Sequence, residues 1–292
     1  MGYGSYTASD WAKLKSSRKL SPDKAVQEVF VQQSCNPKYD PKYIGTRECF
    51  DSDDHPHSTP IVVGLDVTGS MGYLAVKVAT EALNELIMKL YSTNTVEDPA
   101  LMFAAYGDYR DNSPLQVTQF ESDIRIAEQL LDLYFENGGS GQVVPTCLWE
   151  FLSRHTNIDA VNKRGEKGFL FTIGDYAEIR GNYLSETIER VIGDNVENAS
   201  VKSLLREVEK KFYVFHIMIG GRGNADILQG RKILIDKDAL NLIPEIILGA
   251  IQMQKGQSLE DVTRQYESIQ RAALTNALGQ LQLTGVGRSI VL

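Results

Sequence analysis

The chain contains few of the residues that mark a disulfide-stabilised, zinc-binding or membrane protein. Its three cysteines, Cys35, Cys49 and Cys147, lack the paired spacing of a zinc site, and an odd number argues against a disulfide framework. No stretch approaches the roughly 20 unbroken apolar residues that a membrane-spanning helix needs. The first residues also lack the basic and apolar regions of a secretory signal. We therefore expect a cytoplasmic protein with ordinary thiols.

The chain also lacks a concentration of charge of one sign. Its 30 basic and 38 acidic residues give a formal net charge of −8 and are mixed along the 292 positions. Binding to a phosphate backbone or to an anionic membrane surface requires a basic patch, so we expect neither nucleic acid nor membrane as a partner. With 42% hydrophobic residues, the chain is long enough to bury a large core.

Composition and apolar spacing divide the chain into three parts. Residues 1–59 have few apolar runs, which predicts an irregular N-terminal arm laid over a later domain, with a short helix capped by Ser9. Residues 60–255 form the predicted domain. Residues 256–292 are predicted to be a C-terminal helix and tail. The apolar seam of this helix, at residues 259–273, either packs back on the domain or binds another chain, which would make the protein an oligomer.

Short, dense apolar runs alternate with segments in which apolar residues recur every three or four positions. The predicted strands cover residues 61–65, 101–106, 168–173, 212–219 and 232–235. Strands separated by helix-length segments predict a doubly wound α/β fold, with a mostly parallel sheet and helices on both faces. The segment 117–120 follows its predecessor too closely for a crossover, so we predict an antiparallel edge strand there.

The sequence Asp66-Val67-Thr68-Gly69-Ser70 lies where the first domain strand ends and the next helix begins. In an open parallel sheet, ligands bind beyond the carboxyl ends of the strands. A carboxylate followed by two hydroxyls at alternate positions supplies three oxygen groups, which suit Mg²⁺ or a similar cation, Mn²⁺ or Ca²⁺. The alternative is structural, because Asp66 or Ser70 would also serve as the cap of the following helix.

This motif resembles the metal-ion-dependent adhesion site (MIDAS) of von Willebrand factor A (vWA) domains, with its pattern Asp-x-Ser/Thr-x-Ser after the first strand. The resemblance covers roughly residues 60–255 and implies the vWA fold. It also implies that a threonine from a second loop and an aspartate after the fourth strand complete the coordination, directly or through water. In that family a carboxylate of a protein partner often takes the open position on the metal.

The other two loops of the resemblance have counterparts in this chain. Asp175 follows a dense apolar strand and matches the family's aspartate, although the sequence Thr172-Ile173-Gly174-Asp175 departs from the more usual Thr-Asp-Gly and moves the acid along the loop. Thr146, just before a predicted helix, best resembles the second-loop threonine. Ser140 in the preceding glycine-rich loop is the alternative.

A further acidic residue follows the second domain strand. Asp108 lies in the sequence Tyr106-Gly107-Asp108-Tyr109-Arg110-Asp111, which is similar to a turn in several intracellular members of the vWA family. It therefore opens on the same edge of the sheet as the motif. Asp108 either orients a metal-bound water or hydroxyl from outside the coordination shell or caps a turn.

Three functions are compatible with these residues. In the first, Asp66, Thr68, Ser70, Thr146 and Asp175 hold a cation that recruits an Asp or Glu of a protein partner. The resemblance to intracellular members implies an AAA+ ATPase or a subunit of a large assembly as that partner. In the second, Asp66, Asp108 and Asp175 hold metal for phosphoester hydrolysis, although no His or Glu stands nearby as a general base. In the third, the chain is a structural subunit that assembles through its arm and last helix.

Overall fold

A six-stranded sheet forms the centre of the computed structural model, which describes residues 4–139, 145–176, 184–222 and 226–283. The strands, numbered along the chain, are β1 (Arg47–Cys49), β2 (Thr59–Asp66), β3 (Pro99–Tyr106), β4 (Leu115–Val117), β5 (Thr156–Ile158), β6 (Gly168–Tyr176), β7 (Phe212–Arg222) and β8 (Lys232–Ile235). The central sheet has the order β4-β3-β2-β6-β7-β8, while β1 and β5 pair separately. The pairing of β1 with β5 was not predicted from the sequence.

The predicted fold class is confirmed. β2 runs parallel to both β3 and β6, β7 is parallel to β6 and β8, and β4 is antiparallel to β3 at the sheet edge. In β2, side chains from Pro60 to Asp66 are all buried. Ile61, Val63 and Leu65 face one core and Val62 faces the other, as expected of a central strand that helices cover on both sides.

The order of the strands creates a switch point beside β2. From β2 the chain proceeds to β3 and β4 on one side, whereas β6, β7 and β8 extend the sheet on the other side. The connections therefore diverge between β2 and β6, and they leave a crevice beyond the carboxyl ends of these two strands. Asp66 ends β2 and Asp175 lies near the end of β6, so both acids are located at this crevice.

Helices cover both faces of the sheet. They are α1 (Ala8–Ser17), α2 (Val26–Val29), α3 (Gly72–Lys77), α4 (Leu83–Thr93), α5 (Arg125–Leu131), α6 (Pro145–Arg154), α7 (Asp159–Arg164), α8 (Leu184–Val191), α9 (Val201–Val208), α10 (Ile243–Gln254), α11 (Leu259–Thr263) and α12 (Ser268–Leu278). One core contains residues of α1 to α5 and α10 to α12, and the other contains residues of α6, α8 and α9. Among the described helices, none is both long and apolar enough to cross a membrane.

The C-terminal segment differs from the single helix that the spacing predicts. It forms two helices, α11 and α12, and Leu274, Ala277 and Leu278 of α12 lie in the core that also contains β2. Of the two alternatives for this segment, the structure therefore shows the one in which it packs back on the domain. Ile269, which the heptad-like spacing placed on the apolar seam, is 89% exposed.

The N-terminal arm is more closely integrated than its composition indicates. Trp11, Val29 and Phe30 are buried in the same core as β2. The cap of the first helix was also predicted wrongly: Thr7 Oγ1 accepts a hydrogen bond from Asp10 N at 3.2 Å, whereas Ser9 lies inside α1. Thr7 has the extended backbone of an N-cap residue, and Ser9 is two positions too late.

Candidate metal centre

The motif after β2 is held by hydrogen bonds from hydroxyls to carboxylates. Asp66 Oδ1 accepts bonds from Thr68 N at 2.8 Å and from Thr68 Oγ1 at 2.7 Å. A 3₁₀ turn, Gly69–Met71, then leads into α3. Neither this turn nor α3 has a side-chain hydrogen bond from its N-cap residue, and the backbone amide that Asp66 binds is that of the N-cap residue Thr68 itself. The polar side chains of the motif are instead directed toward one another.

Asp175 joins the same cluster from the neighbouring strand. Ser70 Oγ donates a hydrogen bond to Asp175 Oδ1 at 2.9 Å and lies 3.4 Å from Thr68 Oγ1. Four of the five residues predicted to bind a metal, Asp66, Thr68, Ser70 and Asp175, therefore form one continuous chain of hydrogen bonds. Their oxygen atoms come from the end of β2, the turn that follows it, and the end of β6, which is far away in sequence.

A bulge explains how Asp175 reaches the motif despite its shifted position. Gly174 pairs with Met218, but Tyr176 pairs with Arg222. An advance of four residues along β7 therefore corresponds to an advance of two residues along β6. Gly220 and Gly221 supply the extra length on β7, with φ angles of 76° and 67° that other residues rarely adopt. The regular pairing is thus interrupted at Asp175, as is common where a strand directs a side chain into a site.

One oxygen of the cluster is buried without a partner. Asp66 is fully buried, and among the described residues its Oδ2 has no hydrogen-bond partner. Burial raises the pKa of Asp66 to about 7, and the charges of Asp175 and Asp111 act in the same direction, while the bonds from Thr68 oppose the rise. An unpaired buried carboxylate is costly, so a bound cation fits this position.

Tyr106 fixes the ends of the strands around Asp66. Its hydroxyl donates to the backbone oxygen of Ile173 at 3.1 Å and so connects β3 to β6 across β2. Burial raises the pKa of Tyr106 well above its usual value, and the charges of Asp66 and Asp175 raise it further. Tyr106 therefore remains a neutral hydrogen-bond donor at physiological pH.

The turn after β3 contains two buried acids, of which sequence reasoning singled out only one. Asp108 Oδ1 accepts from Arg110 N at 3.0 Å, the turn-capping arrangement, and its role toward a metal stays a prediction. Asp111 Oδ2 accepts from Asp108 N at 2.8 Å, and its carboxylate fills the space where side chains would stand at Gly107 and Gly138. Burial, together with the charges of Glu136 and Asp108, raises the pKa of Asp111 to about 6. The hydrogen bond from Asp108 N acts in the opposite direction.

The glycine-rich second loop also contacts the motif. Gly69 N donates to the backbone oxygen of Gly138 at 2.8 Å, so residues 137–139 lie against the Thr68–Gly69 turn. Thr146 is buried in the first turn of α6, whose Leu148 packs over Gly64 of β2. Ser140 lies outside the described residues. The choice between Thr146 and Ser140 as the second-loop ligand therefore stays a prediction.

The side chains of this cluster differ in kind from a group of His, Cys and acidic residues. Within the described ranges, no group of three or more such residues is arranged to hold a metal ion. The set here consists of two carboxylates and two hydroxyls, which are oxygen donors of the kind that Mg²⁺ and Ca²⁺ prefer. It carries a formal charge of −2 when both acids are ionised.

Comparison with known proteins gives only weak likenesses. No family model matches the chain, and no curated protein matches it. The pilus adhesin SpaC from Lactobacillus rhamnosus GG, in its open conformation, is 12% identical with a TM-score of 0.45, and the match covers 72% of this chain and 31% of the adhesin. Proximal thread matrix protein 1 from the mussel byssus is 12% identical with a TM-score of 0.43, covering 70% of this chain and 50% of that protein.

A von Willebrand factor type A structure from Catenulispora acidiphila is also among these neighbours. It is 14% identical with a TM-score of 0.35, and the match covers 69% of this chain and 43% of that one. The chain thus spans about a third of the adhesin and half or less of the other two proteins. The fold class rests on the strand order and register of the chain itself.

Proposed function

We propose that the chain is a protein-binding module whose MIDAS-type site holds a divalent cation, Mg²⁺ or alternatively Mn²⁺ or Ca²⁺. The observation that supports this best is the fully buried Asp66 Oδ2, which lacks a hydrogen-bond partner among the described residues. It belongs to the cluster that also contains the Ser70 hydroxyl and the Asp175 carboxylate. Such a group is stabilised most by a cation. The resemblance of the motif to vWA domains gives the same ligand set.

The chemistry of the ligands favours recruitment of a partner over hydrolysis. Asp66 and Asp175 would bind the ion as carboxylates, and Thr68, Ser70 and Thr146 would bind it through neutral hydroxyls. When bound, the cation supplies an open coordination position for a further oxygen ligand. If Asp175 acts through water, as the resemblance allows, Asp66 is the only carboxylate in direct contact, and the cation keeps a net attraction for a further carboxylate. An Asp or Glu of another protein then completes the site.

The nature of the partner follows from the resemblance alone. Intracellular vWA proteins are associated with AAA+ ATPases and with large assemblies, and we place this chain in such a cytoplasmic assembly. The described chain lacks a membrane-spanning helix, which is compatible with that location.

The proposal is tested first by calorimetric titration of Mg²⁺ and Mn²⁺ into the full chain. We expect one binding site in the wild type and a loss of affinity of more than about a hundredfold in Asp66→Ala and Asp175→Asn, because each removes a charged ligand. Asp54→Asn is the matched control, since Asp54 is exposed in the loop before β2. Equal affinity in wild type and Asp66→Ala would rule out the site.

The second test concerns the partner. Affinity capture from the native lysate is compared in Mg²⁺ and in EDTA, with wild type, Asp66→Ala and Asp54→Asn as baits. We expect a protein that is retained by wild type and Asp54→Asn only in Mg²⁺ and is lost with Asp66→Ala. Capture that is insensitive to both EDTA and Asp66→Ala would show that binding does not use the metal.

A further inference from the structure

A groove of about 870 Å³ opens beside Ser70, between the α3–α4 segment and a 3₁₀ helix at Lys237–Leu242. We call it the Ser70 groove. Its charged or aromatic lining residues are Tyr73, Lys77, Glu81, Glu85, Lys237 and Asp238. The groove begins at a proposed metal ligand and continues away from it, so a chain bound at the metal would extend along it.

The lining residues change in charge along the groove. Tyr73, Lys77, Glu81 and Glu85 are spaced four residues apart along α3, a π-helical segment at Val78–Ala82 and α4, and all four line the groove. At about 1.5 Å per residue of α-helix, Lys77 lies roughly 10 Å along the axis from Ser70, and Glu85 lies farther away, beyond the π-helical segment. On this wall the half nearer the proposed metal site is therefore basic and aromatic, and the far half is acidic. The other wall contributes one residue of each charge, Lys237 and Asp238.

Neither lysine of the groove forms an ion pair with an acid of the described chain, although the charges of Glu81 and Asp23 act on Lys77. Lys77 Nζ lies 4.8 Å from the centroid of the Tyr73 ring, and Tyr73 is 57% exposed. Lys237 packs its aliphatic stem against Gly220 at the end of β7 and is exposed. By contrast, Glu85 in the far half is paired with Lys89 at 2.8 Å. Lys77, the groove cation nearest to Ser70 in sequence, therefore lies in the half next to the proposed metal site and forms no ion pair with a described acid.

We propose that the Ser70 groove binds the segment of the protein partner that flanks its metal-binding carboxylate, and that this segment is acidic. This inference rests on the proposed metal-dependent function and specifies the partner's chemistry. An extended chain rises about 3.3 Å per residue, so a second Asp or Glu about three residues from the first reaches Lys77 and Lys237. Tyr73 provides a flat surface for the residues between the two acids.

The experiment uses a library of 12-residue peptides displayed on phage, selected on the full-length chain in Mg²⁺ and eluted with EDTA. The same selection is repeated on the double variant Lys77→Glu/Lys237→Glu. Lys202→Glu is the matched control, because Lys202 is exposed on α9, which packs on the opposite face of the sheet. The fold of each variant is checked by circular dichroism.

With wild type and Lys202→Glu, we expect enriched peptides to carry one acid and a second acid two to four residues away. With Lys77→Glu/Lys237→Glu, we expect the first acid to persist and the second to be replaced by Lys or Arg. A synthetic peptide of the wild-type class should bind the double variant at least about tenfold more weakly, since two attractions become repulsions.

The outcomes separate this inference from the function on which it rests. Mg²⁺-dependent peptides that have a single acid, with the same consensus for wild type and the double variant, would overturn the role of the groove and leave the metal-dependent function intact. If no enrichment depends on Mg²⁺, the metal-dependent function itself is wrong and the groove loses its proposed ligand. If the second enriched position of the peptides were apolar in every selection, the proposal that the partner segment is acidic would also be wrong.

Discussion

Gly174 is the residue on which the position of the Asp66 carboxylate depends most directly. A methyl group at position 174 would lie 3.0 Å from Asp66 Oδ2 and 3.0 Å from the Tyr106 hydroxyl oxygen, closer than carbon normally approaches either. Both of these groups are fully buried, so neither can move aside into solvent. The glycine before Asp175 therefore maintains the space in which the unpaired oxygen stands.

We predict that Gly174→Ala displaces Asp66, lowers Mg²⁺ affinity by more than about tenfold and costs about 1–3 kcal/mol of stability, as overpacking usually does. Gly45→Ala is the matched control, because nothing lies within 4 Å of a methyl group at that position. Calorimetry and urea unfolding measure the two effects. Unchanged Mg²⁺ affinity in Gly174→Ala would contradict the close packing around Asp66.

His216 gives a second prediction at the scale of single residues. It is buried in β7, and its Nδ1 lies 2.8 Å from Thr172 Oγ1, so it is a core histidine rather than part of the Asp66–Asp175 cluster. Burial lowers the pKa of His216 from 6.5 to about 4, and Lys232 contributes in the same direction. The unfolded chain therefore binds a proton between these values that the folded chain does not bind.

The free energy of unfolding should therefore fall by about 3 kcal/mol as the pH falls from 6.5 to 4, because only the unfolded chain protonates His216 in that range. We expect the free energy of unfolding of wild type, measured relative to His216→Gln, to fall by this amount across that range. The comparison cancels the buried carboxyl groups that both proteins share. A constant difference for His216→Gln would contradict the prediction.

At the scale of elements, the sequence predicts best the strands whose side chains are buried on both faces of the sheet. β2, β3 and β6 are dense apolar runs in a sheet covered on both faces, and their predicted positions match the structure to within three residues at each end. The crevice at the ends of β2 and β6 follows from their parallel order. Asp66, Thr68, Ser70 and Asp175 could be grouped in advance because each comes at or just after a strand end.

Other features depend on contacts that no local pattern records. The bulge at Asp175 arises from the pairing of β6 with two glycines of β7, which lie 45 and 46 residues further along the chain. The role of Asp111 depends on two glycines, Gly107 and Gly138, that meet only in the folded chain. The glycine-rich turns were a visible signal, but they did not indicate which side chain fills the space between them.

The last helix illustrates a further limit and carries a prediction. The seam predicted at residues 259–273 was wrong for its second half, because the break between α11 and α12 leaves Ile269 exposed and shifts the buried face to Leu274 and Leu278. Leu278 packs closely over Gly249 of α10, where a methyl group would lie 2.6 Å from Leu278 Cδ1. The segment is therefore anchored in the core by residues beyond the predicted seam.

We predict that Leu278→Ala lowers stability by about 2–5 kcal/mol. Ile269→Ala on the same helix should change it by less than about 0.5 kcal/mol, because Ile269 is 89% exposed. Chemical unfolding measures both variants. If Ile269→Ala were the more destabilising and altered the size of the protein in solution, the exposed residue would belong to an interface between chains.

At the scale of the whole molecule, the N-terminal arm is connected to the proposed metal site through the second loop. Phe30, which is 2% exposed, contacts Phe135 with ring centroids 5.7 Å apart. The next residue, Glu136, accepts bonds from the backbone of Asn112 at 2.8 Å and of Ser113 at 2.9 Å. The loop then reaches Gly138, whose carbonyl binds Gly69 N. The arm therefore helps to fix the loop that contacts the motif.

Phe30→Ala should consequently affect both stability and metal binding. We expect a loss of about 3–5 kcal/mol in the free energy of unfolding, from the cavity beside Phe135. In the fraction that remains folded, Mg²⁺ affinity should fall by about threefold or more, since the loop that supports Thr68 and Gly69 loses its anchor. Val31→Ala is the matched control, because Val31 is adjacent in sequence but 49% exposed. If Phe30→Ala destabilises the protein while its Mg²⁺ affinity equals that of Val31→Ala, the arm contributes only to the core, and the second loop is positioned by the turn after β3 alone.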